Sequence, residues 1–485
     1  MAQGKQKAKT LPKSPTGIPG MDEITGGGLP KGRPTLVAGG AGCGKTLFAM
    51  EFLVNGAIQY DEPGVFIAFE ENAEDLAQNV ASLGFDLKQL IKQKKLIIDQ
   101  VRVDRSEIAE TGDYDLEGLF IRLGHAIDSI GAKRVALDTI EVLFSAFSNQ
   151  AILRAELQRL FRWLKDRGVS AVITAERGDG TMTRFGLEEY VADCVILLDH
   201  RVTEQISTRR LRIVKYRGTL HGTNEYPFLI GRNGISVLPI TSLGLAHKVS
   251  TDRVSTGIQE FDEMLGKQGF YQGSTILVSG TAGTGKTSLA ATFVDAACKR
   301  DERCLFFAFE EAPGQILRDM RSIGIDLEPH IKNGLLRFHA TRPTLYGLEM
   351  HLVTMYDLVR EYQPDVVVLD PIDDFTAIGS QIEVKAAITR IIDFLKTSAV
   401  TALFTTTVSD QDMKDQSMVS VSSLIDSWIG LRNLENNGER HRGLFVLKAR
   451  GMAHSNQIRS FQITDHGIKI GEMDLAGRRM NFTTN

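Results

Sequence analysis

A phosphate-loop pattern occurs twice in this chain. "GGAGCGKTLF" spans Gly39–Phe48 and "GTAGTGKTSL" spans Gly280–Leu289, each reading Gly, four residues, Gly-Lys-Thr. A loop of this kind, set between a strand and a helix, aims backbone N–H groups at one point beside the positive helix end. The glycines allow close approach, the lysine supplies a charge for the β- and γ-phosphates, and the threonine offers a hydroxyl to Mg2+. Other landmarks repeat in step. Lys45 and Lys286 stand 241 positions apart, Glu70 and Glu310 240, Asp138 and Asp370 232, Lys215 and Lys448 233. Four landmarks in one order at nearly one offset mark the duplication of a whole domain; solenoid repeats are only about 20–50 residues long.

The duplication divides the chain. Residues 1–13 read as a solvated basic arm, 14–240 as the first domain, 241–252 as a short connector, 253–470 as the second domain and 471–485 as a tail. The arm lacks a following apolar run, so it does not read as a secretory leader. With no run of about 18 apolar residues, no membrane span is expected either. Each half alternates short apolar runs ("TLVAGG", "VFIAF", "RVALD", "SAVITA", "CVILLD" in the first) with segments of helical spacing. Continuous apolar strands suit a mostly parallel sheet covered on both faces, an α/β fold. "GLFVLKARG" and "SFQITDHGIKI" read as antiparallel additions.

Acidic residues follow the strands where chemistry is expected. Asp138 and Asp370 end apolar runs, where a carboxylate holds Mg2+ or its water shell; a helix cap is the alternative. Glu70-Glu71 and Glu310-Glu311 also follow apolar strands. Adjacent carboxylates at a sheet's carboxyl edge raise each other's pKa, and one can poise a water or a hydroxyl for attack. An acidic start to the next helix is the plainer reading. "KYRGTLH" and "KARGMAH" place Lys and Arg at i, i+2, on one face of a strand. Such a tip can reach a phosphate on a neighbouring subunit, unless it merely guards a sheet edge.

One segment breaks the symmetry. "GLEEYVADCVILL" aligns with "VSVSSLIDSWIGL", matching Asp193 to Asp426 and setting Glu189-Tyr190 against Ser422-Ser423. A hydroxyl near a γ-phosphate can accept a phosphoryl group, so the second half alone has candidate acceptors. A serine-rich polar loop has the same composition.

From about Ser14 to Ile470 the chain resembles the KaiC family, circadian-clock ATPases and autokinases of the RecA-like superfamily. The likeness rests on paired P-loops, paired "FEE" strands, paired acidic strand ends and paired K-x-R-G-x-x-H segments. It implies two tandem RecA-like P-loop NTPase domains stacked as a double-ring homohexamer, with ATP and Mg2+ between neighbouring subunits. The first half is then an ATPase whose Glu70 and Glu71 activate water. The second is an autokinase and autophosphatase in which Glu310, with Glu311 beside it, is the base for a serine hydroxyl. Ser422 and Ser423 stand where the family has a Ser-Thr phosphorylation pair.

Carried over position by position, the first nucleotide site comprises Gly39, Gly42, Cys43, Gly44, Lys45, Thr46, Leu47, Ser82, Lys215, Tyr216, Arg217, Thr219 and His221. The second comprises Gly280, Gly283, Thr284, Gly285, Lys286, Thr287, Ser288, Arg442, Lys448, Ala449, Arg450, Met452 and His454. Thr46 and Asp138, and Thr287, Glu310 and Asp370, are the expected metal contacts. "ETGDYDLEGLF" resembles the region with which family members dock KaiB, which makes a KaiB-like partner an expectation. The short tail is unlike the one that captures KaiA in clock members, so dependence on KaiA is not expected.

Composition separates the remaining classes. Net charge is −4, with 56 Lys and Arg against 60 Asp and Glu, which gives no bulk reason to expect nucleic acid or an anionic membrane as partner. The four cysteines, Cys43, Cys194, Cys298 and Cys304, lack metal-binding spacing and read as reduced, buried thiols of a cytoplasmic protein. A nucleic-acid motor and an ATP-gated scaffold use the same fold, so only the site can separate them from an ATPase.

Overall fold

The computed structural model describes residues 11–101, 116–144, 150–178, 183, 191–203, 206–231, 234–238, 250–408, 423–436 and 439–473. Contacts divide the chain into two compact units, Met1–Ser242 and Leu243–Asn485. Among the described residues each unit contains a nine-stranded sheet. In the first the order is Gly234–Val237, Glu225–Gly231, Ile206–Tyr216, Cys194–Thr203, Pro34–Gly39, Ser170–Glu176, Arg134–Asp138, Gly64–Ala68 and Leu96–Gln100. The six strands from Cys194–Thr203 onward are parallel, and the first three fold back antiparallel.

The second unit repeats this order with Gly467–Gly471, Arg459–Thr464, Glu439–Ala449, Ser427–Asn436, Thr275–Gly280, Thr401–Thr407, Val366–Asp370, Cys304–Ala308 and Leu336–Ala340. Here too the last six are parallel and the rest antiparallel.

Cover on both faces explains the unbroken apolar runs. Phe66 packs with Phe48 and Phe52 of the helix Lys45–Gln59, whereas its neighbours Val65 and Ile67 pack with Leu123, Leu157 and Leu160 of the helices Glu117–Ile130 and Gln150–Asp166. The edge strands Leu96–Gln100 and Leu336–Ala340 are half-buried and mixed in polarity, so "LIIDQ" and "LRFHA" carry no continuous apolar run. Among the described residues no helix is long and apolar enough to cross a membrane.

Register sorts the motifs between two edges of each sheet. Gly39 pairs with Glu176 and with Leu198, and Ala68 with Asp138, so the first loop, Glu70 and Asp138 share the carboxyl edge of the parallel strands. Ligands of open α/β sheets bind at that edge. Cys194, at the opposite edge, pairs with both Thr35 and Tyr216. In the second sheet Gly280 pairs with Leu431 at the carboxyl edge, and Ser427 pairs with Ala449 near the other.

Candidate nucleotide sites

Each P-loop closes on itself by backbone geometry. A Cβ on Gly39 would stand 2.4 Å from Cys43 Sγ and 2.6 Å from Leu198 O. On Gly280 it would stand 2.6 Å from Leu431 O and 2.7 Å from Thr284 Oγ1. Gly44 and Gly285 precede the helices Lys45–Gln59 and Lys286–Cys298 at φ 102° and 98°, and neither helix has a side-chain N-cap. The first N–H groups of both helices therefore face the loop without a capping side chain, which is what an anion requires.

Both lysines are buried in their loops. Lys45 Nζ donates to Gly39 O at 3.0 Å and Gly40 O at 2.9 Å; Lys286 Nζ donates to Gly280 O at 3.0 Å and Thr281 O at 3.2 Å. Burial lowers the Lys286 pKa, while Asp373, Asp370 and Glu310 oppose the shift. An ammonium held by carbonyls in a half-desolvated loop gains most from a phosphate oxygen. Gly42 and Gly283 lie at the loop tips, and Leu47 and Ser288 continue the first helical turns.

Behind each loop a hydroxyl meets a carboxylate. The Thr46 hydroxyl acts on Asp138 and that of Thr287 on Asp370, each drawing the carboxylate's pKa down. The same carboxylates accept from Thr174 Oγ1 and Thr405 Oγ1 on the adjacent strands. Burial raises the pKa of both aspartates against these hydrogen bonds. Among the described residues no cluster of three or more His, Cys, Asp or Glu side chains can hold a metal alone. One hydroxyl and one carboxylate suit a hard, hydrated cation that completes its shell on phosphates.

The paired glutamates diverge. Asn72, not a glutamate, caps the helix Ala73–Ala81 by accepting from Asp75 N at 2.9 Å, which removes the capping role from Glu70 and Glu71. Glu71 Oε2 accepts from Asn79 Nδ2 at 3.2 Å, turning toward that helix. Glu70 Oε1 accepts from Thr139 Oγ1 at 3.4 Å, beside Asp138. In the second unit burial raises the Glu311 pKa, with Asp370, Asp319 and Glu310 adding to it, so desolvation outweighs the mutual repulsion expected of adjacent carboxylates.

Register separates the remaining candidates. Lys215 and Tyr216 close the strand Ile206–Tyr216 at the edge away from Gly39, with Arg217, Thr219 and His221 in the segment that follows. Lys448 and Ala449 close Glu439–Ala449 in the same way, ahead of Arg450, Met452 and His454. The strand alternation expected to align Lys and Arg ends before the arginine, which begins a turn in both halves. Neither tip sits at the P-loop edge of its own sheet.

Tyr216 is buried and its hydroxyl donates to Gly28 O at 2.8 Å, so its side chain is committed to the core. Lys448 has a lowered pKa, first from burial and then from Arg450, with Lys396 adding; such crowded cations favour an anion. Arg442 behaves differently. Its Nε donates to Gly283 O at 3.3 Å, so it belongs to its own P-loop. Arg209, opposite His200 as Arg442 is opposite Asn433, is the first-half counterpart; the 233-residue offset was the signal for it.

Ser82 caps the C-terminus of Ala73–Ala81, and a groove of about 610 Å3 runs past Ala77, Ala81, Phe85 and Leu87. A groove of about 400 Å3 past Leu317, Arg321 and Ser322 is its counterpart. Ser423 is exposed, and its carbonyl accepts from Arg450 Nη2 at 2.6 Å. Ser422, Glu189, Tyr190 and residues 110–115 of the KaiB-like segment lie outside the described residues.

The model of the KaiC ATPase family matches residues 14–242 and again 254–474. The chain belongs to this family. It is 57% identical over 465 residues to the circadian clock protein KaiC2 of Synechocystis sp., covering 96% of this chain and 82% of that protein. It is 39% identical to the circadian clock oscillator protein KaiC of Parathermosynechococcus lividus, covering 95% and 85%. With the circadian clock protein KaiC3 of Synechocystis sp. it shares 38% identity, covering 96% and 93%. As a KaiC-family ATPase it carries the family's ATPase domain in duplicate, in keeping with its two loops.

Proposed function

We propose that this chain assembles as a double-ring homohexamer that hydrolyses ATP in its first half and phosphorylates its own Ser422 or Ser423 in its second. One observation carries the reading: in both halves the Lys-x-Arg tip lies at the sheet edge opposite the P-loop of the same chain. A nucleotide held by one P-loop is then completed by the tip of the next subunit, and a closed ring satisfies every site in turn.

In the first half Lys45 and the helix N-terminus hold the triphosphate. Glu70, adjoining Asp138 through Thr139, accepts the proton of the attacking water. Lys215 and Arg217 of the neighbour meet the charge that develops on the transferred group. In the second half Lys286 and Thr287 hold the triphosphate and Glu310 accepts the proton of a serine hydroxyl, whose oxygen bonds the γ-phosphorus as the bond to the β,γ-bridging oxygen breaks and ADP leaves. Thr46 and Asp138 in the first half, and Thr287, Glu310 and Asp370 in the second, would hold Mg2+, which would supply neutralisation of phosphate charge. The relatives' circadian-clock names support a role in timekeeping. A KaiB-like protein docking on the first half is part of the same proposal, carried by the likeness of Glu110–Phe120.

Incubation of the full chain with Mg-ATP, followed by phosphosite mass spectrometry, tests the second-half assignment. Phosphate on Ser422 or Ser423, absent in Glu310→Gln, is the expected result. Full phosphorylation of that variant would remove Glu310 as the base.

A further inference from the structure

Each tip arginine meets one aspartate of its own chain, and Arg450 Nη2 also donates to Ser423 O at 2.6 Å. Arg217 N donates to Asp193 O at 2.9 Å, and its Nη1 lies 3.6 Å from Asp193 Oδ1. Arg450 N donates to Asp426 O at 2.8 Å, with Nη1 3.8 Å from Asp426 Oδ1. The carboxylates have further partners. Asp193 Oδ2 is 3.6 Å from Arg33 Nη1 and 3.9 Å from Lys165 Nζ. Asp426 Oδ2 accepts from Lys396 Nζ at 2.7 Å and from Thr275 N at 3.0 Å. Asp193 is 8% exposed, so its place is fixed by packing rather than by solvent. Arg33 directly precedes the P-loop strand Pro34–Gly39, and Thr275 opens the strand Thr275–Gly280.

From this repeated arrangement we infer that Asp193 and Asp426 are the positioning residues of the tip arginines, each setting the guanidinium that completes a neighbour's nucleotide site and tying it to the start of its own chain's P-loop strand. The inference rests on the proposed inter-subunit site. Physically, an exposed arginine on a turn samples many rotamers, and a site that uses it gains when one is selected in advance. A fixed carboxylate 3.6–3.8 Å away, with the arginine's own N–H locked to the same residue, selects the region without neutralising the cation completely. Arg33 and Lys165 share the charge of Asp193, and Lys396 shares that of Asp426, so each carboxylate holds its arginine less strongly than a phosphate would.

The test is a double-mutant cycle in the full chain, carried on Glu310→Gln so that hydrolysis reports the first half. Asp193→Asn should lower kcat about tenfold with KM for ATP nearly unchanged. Asp193→Glu should recover part of the loss, and Asp193→Asn should cost nothing further once Arg217→Ala is present. Native mass spectrometry and thermal melting accompany each variant, so that a fall caused by unfolding or failed assembly is seen as such. Equal losses from Asp193→Asn with and without Arg217 would overturn the inference, as would an unchanged kcat in Asp193→Asn alongside a large loss in Arg217→Ala. An Arg217→Ala variant of full activity would bring down the inter-subunit reading itself, and this inference with it.

Discussion

The two halves share a grip but differ at the carboxyl edge. The loop glycines, lysine, threonine pair and strand-end aspartate recur at matching positions with matching hydrogen bonds, although Gly40 and Cys43 stand where the second loop has Thr281 and Thr284. After the strand-end aspartate, however, the first half has Glu141-Val142 where the second has Asp373-Asp374. Asp374 is pushed up to about 6 by burial, with Glu310 and Asp373 beside it. The second half also carries Ser423, whose carbonyl is held by Arg450. Backbone and register at the loop are duplicated faithfully; the side chains proposed to direct a proton or phosphoryl group are not. In the proposed function, binding and reaction outcome are thus set by different layers of the same fold.

The largest effect that sharpens this comparison is at the bases. Glu70→Gln should reduce first-half hydrolysis about 100-fold and leave phosphate on Ser422 or Ser423, whereas Glu310→Gln should abolish the phosphopeptide. Loss of both readouts in either variant would break the division of labour.

A stability difference comes next. Glu51, buried on the first P-loop helix, accepts from Ile235 N at 2.9 Å and is pushed up to about 8 by burial; the second half has Thr292 there. The raised carboxyl contributes fully below the unfolded pKa near 4.5, and the contribution is lost as pH rises through about 8. Glu51→Gln should therefore stabilise the first half by on the order of 2 kcal/mol at pH 9 and hardly at all at pH 4, read by urea melts at both pH values.

Smaller, and equal in the two halves, should be Thr174→Val and Thr405→Val. Each removes a buried hydrogen bond to the strand-end aspartate at a cost of about 1 kcal/mol, measured in the same melts. The smallest effect is expected for Glu71→Gln, within about threefold on hydrolysis, since Glu71 faces Asn79 rather than Asp138.

Much of the fold was legible because its information is local. Apolar runs such as "VFIAF" and "VVVLD" have no other stable place than a doubly covered sheet, and Gly44 and Gly285 mark their loops by spacing alone. The half-exposed strands Leu96–Gln100 and Leu336–Ala340 were not legible, since edge strands need no apolar continuity. Nor did spacing tell Glu70 from Glu71, because their divergence depends on Thr139, 69 residues beyond Glu70, and on which way the neighbouring Asn79 draws Glu71. Arg442 and Lys448 lie close in sequence yet at different edges, and only strand register reveals that.

The central claim, that each nucleotide site draws on two chains, is tested most directly by mixing two inactive first-half variants, both carrying Glu310→Gln. One has Glu70→Gln and keeps Arg217; the other has Arg217→Ala and keeps Glu70. Subunits exchanged at equal ratio should regain hydrolysis at about a quarter of the sites, where a chain with Glu70 meets a neighbour with Arg217. A mixture no more active than its two components, despite verified subunit exchange, would contradict the claim.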